Sequence, residues 1–362
     1  MGNEVPKGMK LAVDNTPNLA AVPEALVDFD DFLLTESSED MEARMLADVF
    51  VLGLMAIMGQ FTVFYGGPNV GKTLIGLKLL IEAIQAGKID PSQVYYINAD
   101  DTYKGIVTKK RLAEEYGFNM LVPGHSGFKA DMLVDILRNR AVSGKAQGSI
   151  VILDTLKKFT DLMSKGASSA FGEVQRGFIS NGGTVIGYAH VNKAKGDDGG
   201  AVHAGTTDII DDGDCAYIID QVEDDGNIRI VKFRNIKDRG DVAQVVNYQY
   251  KSKGNSPSMP YLELLYSVTE VDSATAKKAQ ARAIVAERLA TNHDYIVAVL
   301  EYLTSTTTEV NKAELVSVVM DSGLSKSKAT KLLDAHTGTD KVQGHRWNTI
   351  KGEKNAKHFI AI

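Results

Sequence analysis

A glycine-rich stretch that ends in a lysine and a threonine carries the clearest chemistry in the sequence. It runs Gly66-Gly-Pro-Asn-Val-Gly-Lys-Thr73, after an apolar run and before a helical pattern. Gly66 and Gly71 tolerate backbone angles that a Cβ disfavours, so successive N–H groups can turn inward around a phosphate chain. Lys72 is expected to reach the β- and γ-phosphates of ATP, and Thr73 to place its hydroxyl on Mg²⁺. The predicted cofactor-binding residues of this P-loop are Gly66, Gly67, Pro68, Asn69, Val70, Gly71, Lys72 and Thr73.

Three further apolar runs end in polar side chains that a nucleotide hydrolase needs. One ends in Asp154, which is expected to hold a Mg²⁺-bound water beside Thr73. Another ends in Asp100 and Asp101, and hydrolysis needs a carboxylate to polarise the water that attacks the γ-phosphate. The third ends in His190, which can contact the γ-phosphate and report its loss. The catalytic candidates here are Lys72, Asp100, Asp154 and His190, and the metal candidates are Thr73 and Asp154.

The elements around these residues alternate between buried strands and amphipathic helices, which predicts an α/β fold with a mainly parallel central sheet. Short strands at 216–220, 228–233 and 243–250 are expected to extend one sheet edge in antiparallel fashion. Three helices and a terminal hairpin at the C-terminus match the plan of a small winged-helix domain. The predicted organisation is a flexible arm at 1–23, an acidic helical segment at 24–60, the nucleotide-binding domain at 61–271, a linker helix at 272–293 and the winged-helix domain at 294–362.

Composition and charge exclude several classes of protein. The single cysteine, Cys215, excludes an internal disulfide framework and a zinc site built from cysteines, and it suits a reducing cytoplasm. The apolar stretch at 49–58 is too short to span a bilayer, and residues 1–20 lack the plan of a signal peptide. The net charge is −6, and residues 1–50 hold 11 acidic and three basic side chains. A general coat of nucleic acid is therefore not expected.

Taken in order, the motifs resemble those of the RecA-like ATPase core. The P-loop follows the first strand of the set. Three later strands end in the motifs Ala-Asp100-Asp101, Ile-Leu-Asp154-Thr-Leu and Ala-His190, and the motif Gly205-Thr-Thr-Asp-Ile-Ile comes after them in the chain. Over residues 45–270 they look most like the plasmid RepA-type hexameric replicative helicases and their phage relatives. That family usually carries a Glu at the position of Asp100. The shorter side chain implies a nearer water, help from Asp101, or slow hydrolysis.

The resemblance also implies a ring in which each nucleotide site lies between two subunits. The strand Ile228-Arg-Ile-Val-Lys-Phe-Arg-Asn235 resembles the Lys-x-Arg-Asn pattern with which ring helicases complete a neighbour's site. Lys232 and Arg234 are therefore catalytic candidates that act in trans, with Arg234 as the finger that neutralises charge on the transferred phosphoryl group. Arg239 is an alternative finger, and a solvated edge strand would explain the same charges without any catalytic role.

Single-stranded DNA is implied as a partner, and three lysine-bearing segments suit contacts with it. By analogy with the family, the loops after the two catalytic strands face the pore of the ring, although both can equally be solvated loops. A helix of the winged-helix domain can bind DNA or dock a protein. The DNA-contact candidates are Lys157, Lys158 and Lys165 in the first loop, Lys193 and Lys195 in the second, and Lys326, Lys328 and Lys331 on the helix.

These features predict an oligomeric ATP-dependent DNA helicase or translocase that acts in phage or plasmid DNA replication, in the cytoplasm of a bacterial host. The expected partners are identical subunits in a hexameric ring, single-stranded DNA and replication proteins, with no membrane. Two alternatives stay open: an ATP-switched DNA-binding loader or regulator whose slow hydrolysis times its release, and a recombinase-like filament ATPase.

Overall fold

One large sheet with helices on both faces dominates the computed structural model, which describes residues 30, 33–35, 37–45, 48–159, 165–195, 201–203, 213–254, 257–352 and 356–362. The chain divides into two units, Met1–Asp48 and Val49–Ile362. The first unit contains helix α1 (Ser38–Met45), at whose start the Ser37 hydroxyl accepts a hydrogen bond from the backbone N–H of Asp40. The predicted flexible arm at 1–23 lies outside the described residues.

A β-hairpin precedes the sheet at a place where the sequence predicted helix. Strand β1 (Phe50–Leu52) pairs antiparallel with β2 (Ala56–Ile57), and Gly53 turns the chain between them with a φ of +56°. The hairpin is buried in the core of the second unit. The predicted helical segment at 24–60 is therefore wrong for residues 50–57, because a short apolar run does not distinguish a strand from a helix.

The central sheet is mainly parallel, which confirms the predicted fold class at this level. The strands that follow β2 in the chain are β3 (Phe61–Gly66), β4 (Val94–Asn98), β5 (Asn119–Leu121), β6 (Ile150–Asp154), β7 (Thr184–Ala189), β8 (Val191–Lys195), β9 (Ala201–His203), β10 (Cys215–Asp224), β11 (Ile228–Lys237), β12 (Val245–Lys251) and β13 (Thr269–Val271). The spatial order in the sheet is β13-β12-β11-β10-β3-β7-β6-β4-β5. The strands from β10 to β5 are parallel, and β11, β12 and β13 extend the sheet beside β10 in antiparallel fashion.

Helices cover both faces, and the alternation of side chains along each parallel strand explains why. In β6, Ile150 and Ile152 belong to one core, whereas Val151 and Leu153 belong to the other. A strand buried on both faces needs a continuous apolar run. The helices are α2 (Lys72–Gln85), α3 (Tyr103–Tyr116) and α6 (Tyr261–Tyr266) on the first core, α4 (Leu133–Val142) and α5 (Lys165–Ser180) on the second, and α7 (Ser273–Thr291) after β13.

The antiparallel edge begins one strand later than predicted. The strand expected at 216–220 is β10, and it runs parallel to β3, with Cys215 beside Thr62. Apolar alternation marks a strand but does not encode its direction, which is why the sequence placed it wrongly. The loop that was predicted to carry Lys193 and Lys195 also differs, because β8, which contains both lysines, pairs antiparallel with β9. Residues 196–200 and 204–212 lie outside the described part of the chain.

Three helices and a hairpin enclose a separate core near the C-terminus. Trp347, Val299 and Leu333 are fully buried in that core, and Trp347 Nε1 donates to Leu333 O at 3.2 Å. These residues belong to the same unit as the sheet. None of the described helices is long and apolar enough to cross a membrane. The C-terminal elements are α8 (His293–Ser305), α9 (Lys312–Asp321), α10 (Lys326–Ala335), β14 (Trp347–Lys351) and β15 (Lys357–Ala361).

Candidate functional site

Four neighbouring parallel strands bring the predicted residues to one edge of the sheet. β3, β7, β6 and β4 are adjacent, and Asp154 lies in register beside both Tyr188 and Asn98. The carboxyl edge of an open parallel sheet is where such folds bind ligands. The segments that begin at this edge are the P-loop after β3, His190 after β7, Asp154 at the end of β6 and Asp100 after β4.

The ammonium group of Lys72 lies inside the P-loop. Its Nζ donates to Gly66 O and Gly67 O, both at 2.8 Å. Burial lowers the pKa of Lys72 to about 8, against the opposing effect of the Asp154 and Asp100 carboxylates. A bound phosphate chain would favour the charged form. Lys72 is therefore a largely desolvated cation with two carboxylates nearby.

Left-handed backbone angles at two positions curve the loop. Gly71 has a φ of +96° and Asn69 a φ of +58°. Val70 is buried beneath the loop, whereas Pro68 is exposed. Helix α2 starts directly after Gly71, so the N–H groups of its first turn and its positive dipole end face the loop.

Asp154 joins three elements at the carboxyl edge. Thr73 Oγ1 on α2 lies 3.1 Å from Asp154 Oδ1 and 3.0 Å from Oδ2. Tyr96 on β4 donates its phenol to Asp154, and Lys109 on α3 donates to Asp154 Oδ2 at 3.1 Å. Burial raises the pKa of Tyr96, and the Asp154 carboxylate raises it further, so the phenol stays protonated. The carboxylate is therefore oriented by an alcohol, a phenol and an ammonium group.

The donor set fits a Mg²⁺ ion that binds together with a nucleotide. Mg²⁺ prefers oxygen ligands, and proteins usually hold it through one or two carboxylates plus substrate phosphates. Thr73 and Asp154 supply such oxygens, and within the described ranges no group of three or more His, Cys, Asp or Glu could hold a metal alone. A Cβ added at Gly67 would meet nothing within 4 Å, so the loop has open space beside it.

The two consecutive carboxylates after β4 have different surroundings. Asp101 Oδ2 lies 2.6 Å from Lys109 Nζ and accepts from Asn98 Nδ2 at 2.9 Å. Asp100 is exposed and has no hydrogen bond or ion pair with the residues that the structure describes. Its charge acts on Lys72, whose pKa it raises. Among the described residues, Lys109 and Asn98 therefore engage the Asp101 carboxylate, and none bonds to that of Asp100.

His190 lies near the charges of Lys72, Asp100 and Asp154. Burial lowers its pKa, and so do the Lys72 and Lys157 cations, while Asp100 and Asp154 act in the opposite direction. The lowered pKa favours a neutral imidazole, which can donate one N–H to a phosphate oxygen without adding a charge.

Lys232 and Arg234 lie on β11, on the face of the sheet opposite to α2. Val231 and Phe233 belong to the core that α2 covers. Since side chains alternate along a strand, Lys232 and Arg234 project from the opposite face. Both are half-buried, and Arg234 Nε lies 4.0 Å from Asp220 Oδ2, at the limit of an ion pair.

Arg239, the alternative finger, lies at the other edge of the sheet. Its Nη1 lies 3.2 Å from Asp214 Oδ1, and Asp214 Oδ2 accepts from the backbone N–H of Phe61, the first residue of β3. That end of β3 is opposite to the P-loop. Arg239 therefore has a structural partner, whereas Lys232 and Arg234 are the more available cations.

Arg229 supports the P-loop from outside and was not predicted. Its Nη1 donates to Asn69 O at 2.6 Å, and its Nε donates to Asp224 Oδ2 at 2.9 Å. Tyr250 packs behind the loop so closely that a Cβ added at Gly71 would lie 2.8 Å from its phenol oxygen. The register pairs Asp224 with Arg229 across the β10–β11 turn, so a hairpin prediction could have found this pair.

Lys109 was also missed, although its position in α3 gives a signal. The buried residues of α3 are Lys109, Leu112 and Ala113, which share one face of the helix. A lysine on an apolar helical stripe predicts a buried partner of opposite charge. The sequence contains that partner in Asp101, two residues before α3 begins.

The lysines predicted to contact DNA lie on four different elements. Lys157 and Lys158 are exposed in a short 3₁₀ turn that follows β6, and the charge of Lys157 acts on His190. Lys165 begins α5, and Lys193 and Lys195 lie on β8. Residues 160–164 lie outside the described ranges. The remaining three, Lys326, Lys328 and Lys331, are exposed on α10.

Comparisons with known proteins add no relative: no protein-family model matches the chain, and a search of curated proteins gives no match. The functional assignment therefore depends on the residues and geometry of the carboxyl edge.

Proposed function

We propose that this chain is a Mg²⁺-dependent ATP hydrolase with a RecA-like core. The observation that carries the proposal is the contact of 3.0 to 3.1 Å between the Thr73 hydroxyl and the Asp154 carboxylate, next to Lys72 in the P-loop. A hydroxyl, a carboxylate and an ammonium group meet at the carboxyl edge of a parallel sheet. P-loop hydrolases use this set of groups for a metal-bound nucleotide.

Each residue of the site has its own part in the proposed reaction. Lys72 binds the β- and γ-phosphates, and the N–H groups of the first turn of α2 bind phosphate oxygens. Mg²⁺, when bound through Thr73 and Asp154, neutralises charge on the phosphates. Asp100 accepts the proton of the attacking water, since none of the described residues bonds to its carboxylate and its charge acts on Lys72. His190 donates to the γ-phosphate.

The biological setting that we propose is a hexameric helicase or translocase of phage or plasmid replication, in a bacterial cytoplasm. The support is the resemblance of the ordered motifs to RepA-type helicases, together with the placement of Lys232 and Arg234. Both cations project from the face opposite to α2, so they suit the site of a neighbouring subunit better than their own.

DNA contacts are part of the same proposal. Lys157 and Lys158 are exposed directly after Asp154, so a strand bound there would lie close to the nucleotide. The C-terminal helices and hairpin are proposed to form a winged helix that presents Lys326, Lys328 and Lys331 of α10 to DNA.

Two measurements test the proposal. ATP hydrolysis should require Mg²⁺ and should disappear in Lys72→Ala, whereas Lys88→Ala, which changes an exposed lysine just after α2, should behave as wild type. Turnover by Lys72→Ala at the wild-type rate would refute the P-loop assignment. Electron microscopy with an ATP analogue, with and without single-stranded DNA, then decides the assembly. Closed rings support the helicase, and open helical filaments support a recombinase.

An ATP-switched loader or regulator is the second candidate function, and one observation favours it. Asp100 is the shorter acid, and Asp101 cannot assist because it is bonded to Lys109 and Asn98. Slow hydrolysis with tight nucleotide binding is then expected. Monomers in both microscopy conditions, with nucleotide-dependent DNA binding, would support this function over the helicase.

A further inference from the structure

We propose that Lys109 is a positioning residue of the nucleotide site: its ammonium group joins Asp101 to Asp154, sets the charge at the metal position, and leaves Asp100 as the base. The inference rests on the proposed function for the identity of the metal and the nucleotide. Its main test uses metal binding to the nucleotide-free protein, so it can succeed or fail independently of hydrolysis.

The contacts of Lys109 link two strand ends that both belong to the site. Its Nζ lies 2.6 Å from Asp101 Oδ2 and 3.1 Å from Asp154 Oδ2. The same nitrogen lies 5.5 Å from the centre of the Tyr96 ring, and Tyr96 also donates to Asp154. A single side chain of α3 therefore fixes the end of β6 and the segment after β4.

Burial makes these contacts consequential. Lys109 is 4% exposed, and Asp154 is 6% exposed. An ammonium group and a carboxylate with so little water depend on each other for stabilisation, and removal of one leaves the other uncompensated. The neighbour Lys110 offers the contrast, because its ion pair with Glu114 is on the surface of the same helix.

The charge at the metal position follows from this arrangement. Two carboxylates and one ammonium group sum to a single negative charge. Without Lys109 the same place would hold two negative charges, which would attract a divalent cation more strongly even in the absence of phosphates. Lys109 therefore makes metal binding depend on the nucleotide, because the phosphates supply the charge that the protein withholds.

Asp101 is the second residue that Lys109 controls. The carboxylate is bonded to Lys109 and to Asn98, and Gly105 lies so close that an added Cβ would come within 2.8 Å of Asp101 Cγ. Asp101 is thus held on the α3 side of the site. This leaves Asp100 as the proposed proton acceptor, because its carboxylate has no hydrogen bond or ion pair with the residues that the structure describes.

The experiment compares Lys109→Met with the matched control Lys110→Met, which changes the adjacent exposed lysine. Thermal unfolding of the nucleotide-free proteins is followed while Mg²⁺ alone is titrated. We expect Lys109→Met to bind Mg²⁺ at least about tenfold more tightly than wild type, seen as a larger metal-dependent rise in Tm. Lys110→Met should match wild type. Equal metal dependence in all three proteins would overturn the inference.

A charge-balanced double variant separates positioning from simple structural support. Lys109→Met with Asp101→Asn restores one negative charge, so its Mg²⁺ dependence should return to that of wild type. This variant also serves if Lys109→Met alone does not fold. If the double variant binds Mg²⁺ more tightly than wild type, Lys109 does not act through the charge at the metal position. Lys109→Arg retains the cation and should keep the wild-type metal dependence.

Discussion

The substitutions Asp100→Asn and Asp101→Asn should separate an effect on ATP turnover from an effect on the free energy of unfolding. Asp100 is exposed and unbonded among the described residues, so Asp100→Asn should leave the free energy of unfolding unchanged. It removes the proposed base, and loss of a positioned base lowers turnover by about 10²–10⁴-fold. Nucleotide affinity should change little, because Lys72 and the P-loop backbone remain.

Asp101→Asn should show the opposite pattern. It removes a carboxylate 2.6 Å from the buried Lys109 ammonium. Breaking a fully buried ion pair costs about 3–5 kcal/mol. The Asp101 side chain is 30% exposed, and Lys109 keeps Asp154 at 3.1 Å, so the expected loss of unfolding free energy is nearer to about 1–2 kcal/mol. Turnover should fall by less than about tenfold, because Lys109 and Asn98 engage the Asp101 carboxylate and Asp100 is the proposed base.

Steady-state ATP hydrolysis and urea denaturation of both variants provide the assay. Asp100→Glu is the matched control, since it keeps the acid and extends it by one methylene, as in RepA-type helicases. It should hydrolyse ATP at least as fast as wild type. Wild-type turnover in Asp100→Asn would refute the assignment of the base. A loss of about 10²-fold in Asp101→Asn with unchanged stability would move the base to Asp101.

Three further predictions concern the cations around the phosphates. ATP affinity should be constant up to pH 8 and then fall by about tenfold per pH unit. The reason is that the pKa of Lys72 is about 8 and that phosphates bind its charged form. The variant Lys72→Arg stays protonated, so its ATP affinity should not change with pH over this range. Mixed oligomers of Arg234→Ala and Lys72→Ala should regain partial ATP hydrolysis, since an intact P-loop can meet an intact finger at the interface of two subunits. If oligomers shown to be mixed recover no activity, Arg234 does not act on the site of a neighbouring subunit. Arg229→Gln should weaken ATP binding by about tenfold in a fluorescent-nucleotide titration, because the hydrogen bond of 2.6 Å to Asn69 O is lost. Unchanged affinity would mean that the P-loop keeps its conformation without Arg229.

The sequence predicted the parallel core well, for a physical reason. A strand buried on both faces must be continuously apolar, and Ile150-Val-Ile-Leu153 meets that requirement before it ends in Asp154. Position along the chain then places the polar residue after each strand at the carboxyl edge. On this basis the sequence placed Thr73, His190 and Asp154 at one edge of the sheet, although it did not predict the contacts between them.

Contacts between elements were beyond the same reasoning. The burial of Lys109 depends on the approach of α3 to the ends of β4 and β6, and no local pattern states that distance. Arg229 reaches Asn69 because β10 lies beside β3 in the sheet, a neighbour relation that the sequence did not predict. The β1–β2 hairpin was missed because Gly53 interrupts an apolar run too short to show a period.

Three cations on different elements hold the site in one arrangement before any ligand binds. Lys72 spans the P-loop, Lys109 ties α3 to Asp154, and Arg229 ties the β10–β11 hairpin to the loop. Each makes hydrogen bonds to charged or carbonyl oxygens, and a bond of this kind contributes about 1.5–3 kcal/mol when the group is charged. The binding groups are therefore preorganised, which favours tight nucleotide binding.

The proposed base is the exception to this preorganisation. Asp100 is the shorter acid and has no described partner that would orient it toward a water molecule. A preorganised binding loop with a loosely held base should bind ATP tightly and hydrolyse it slowly. The ratio of turnover to affinity, measured in wild type and in Asp100→Glu, therefore bears directly on function. A motor needs fast turnover in the wild type, whereas a switch gains turnover only when the longer acid is restored.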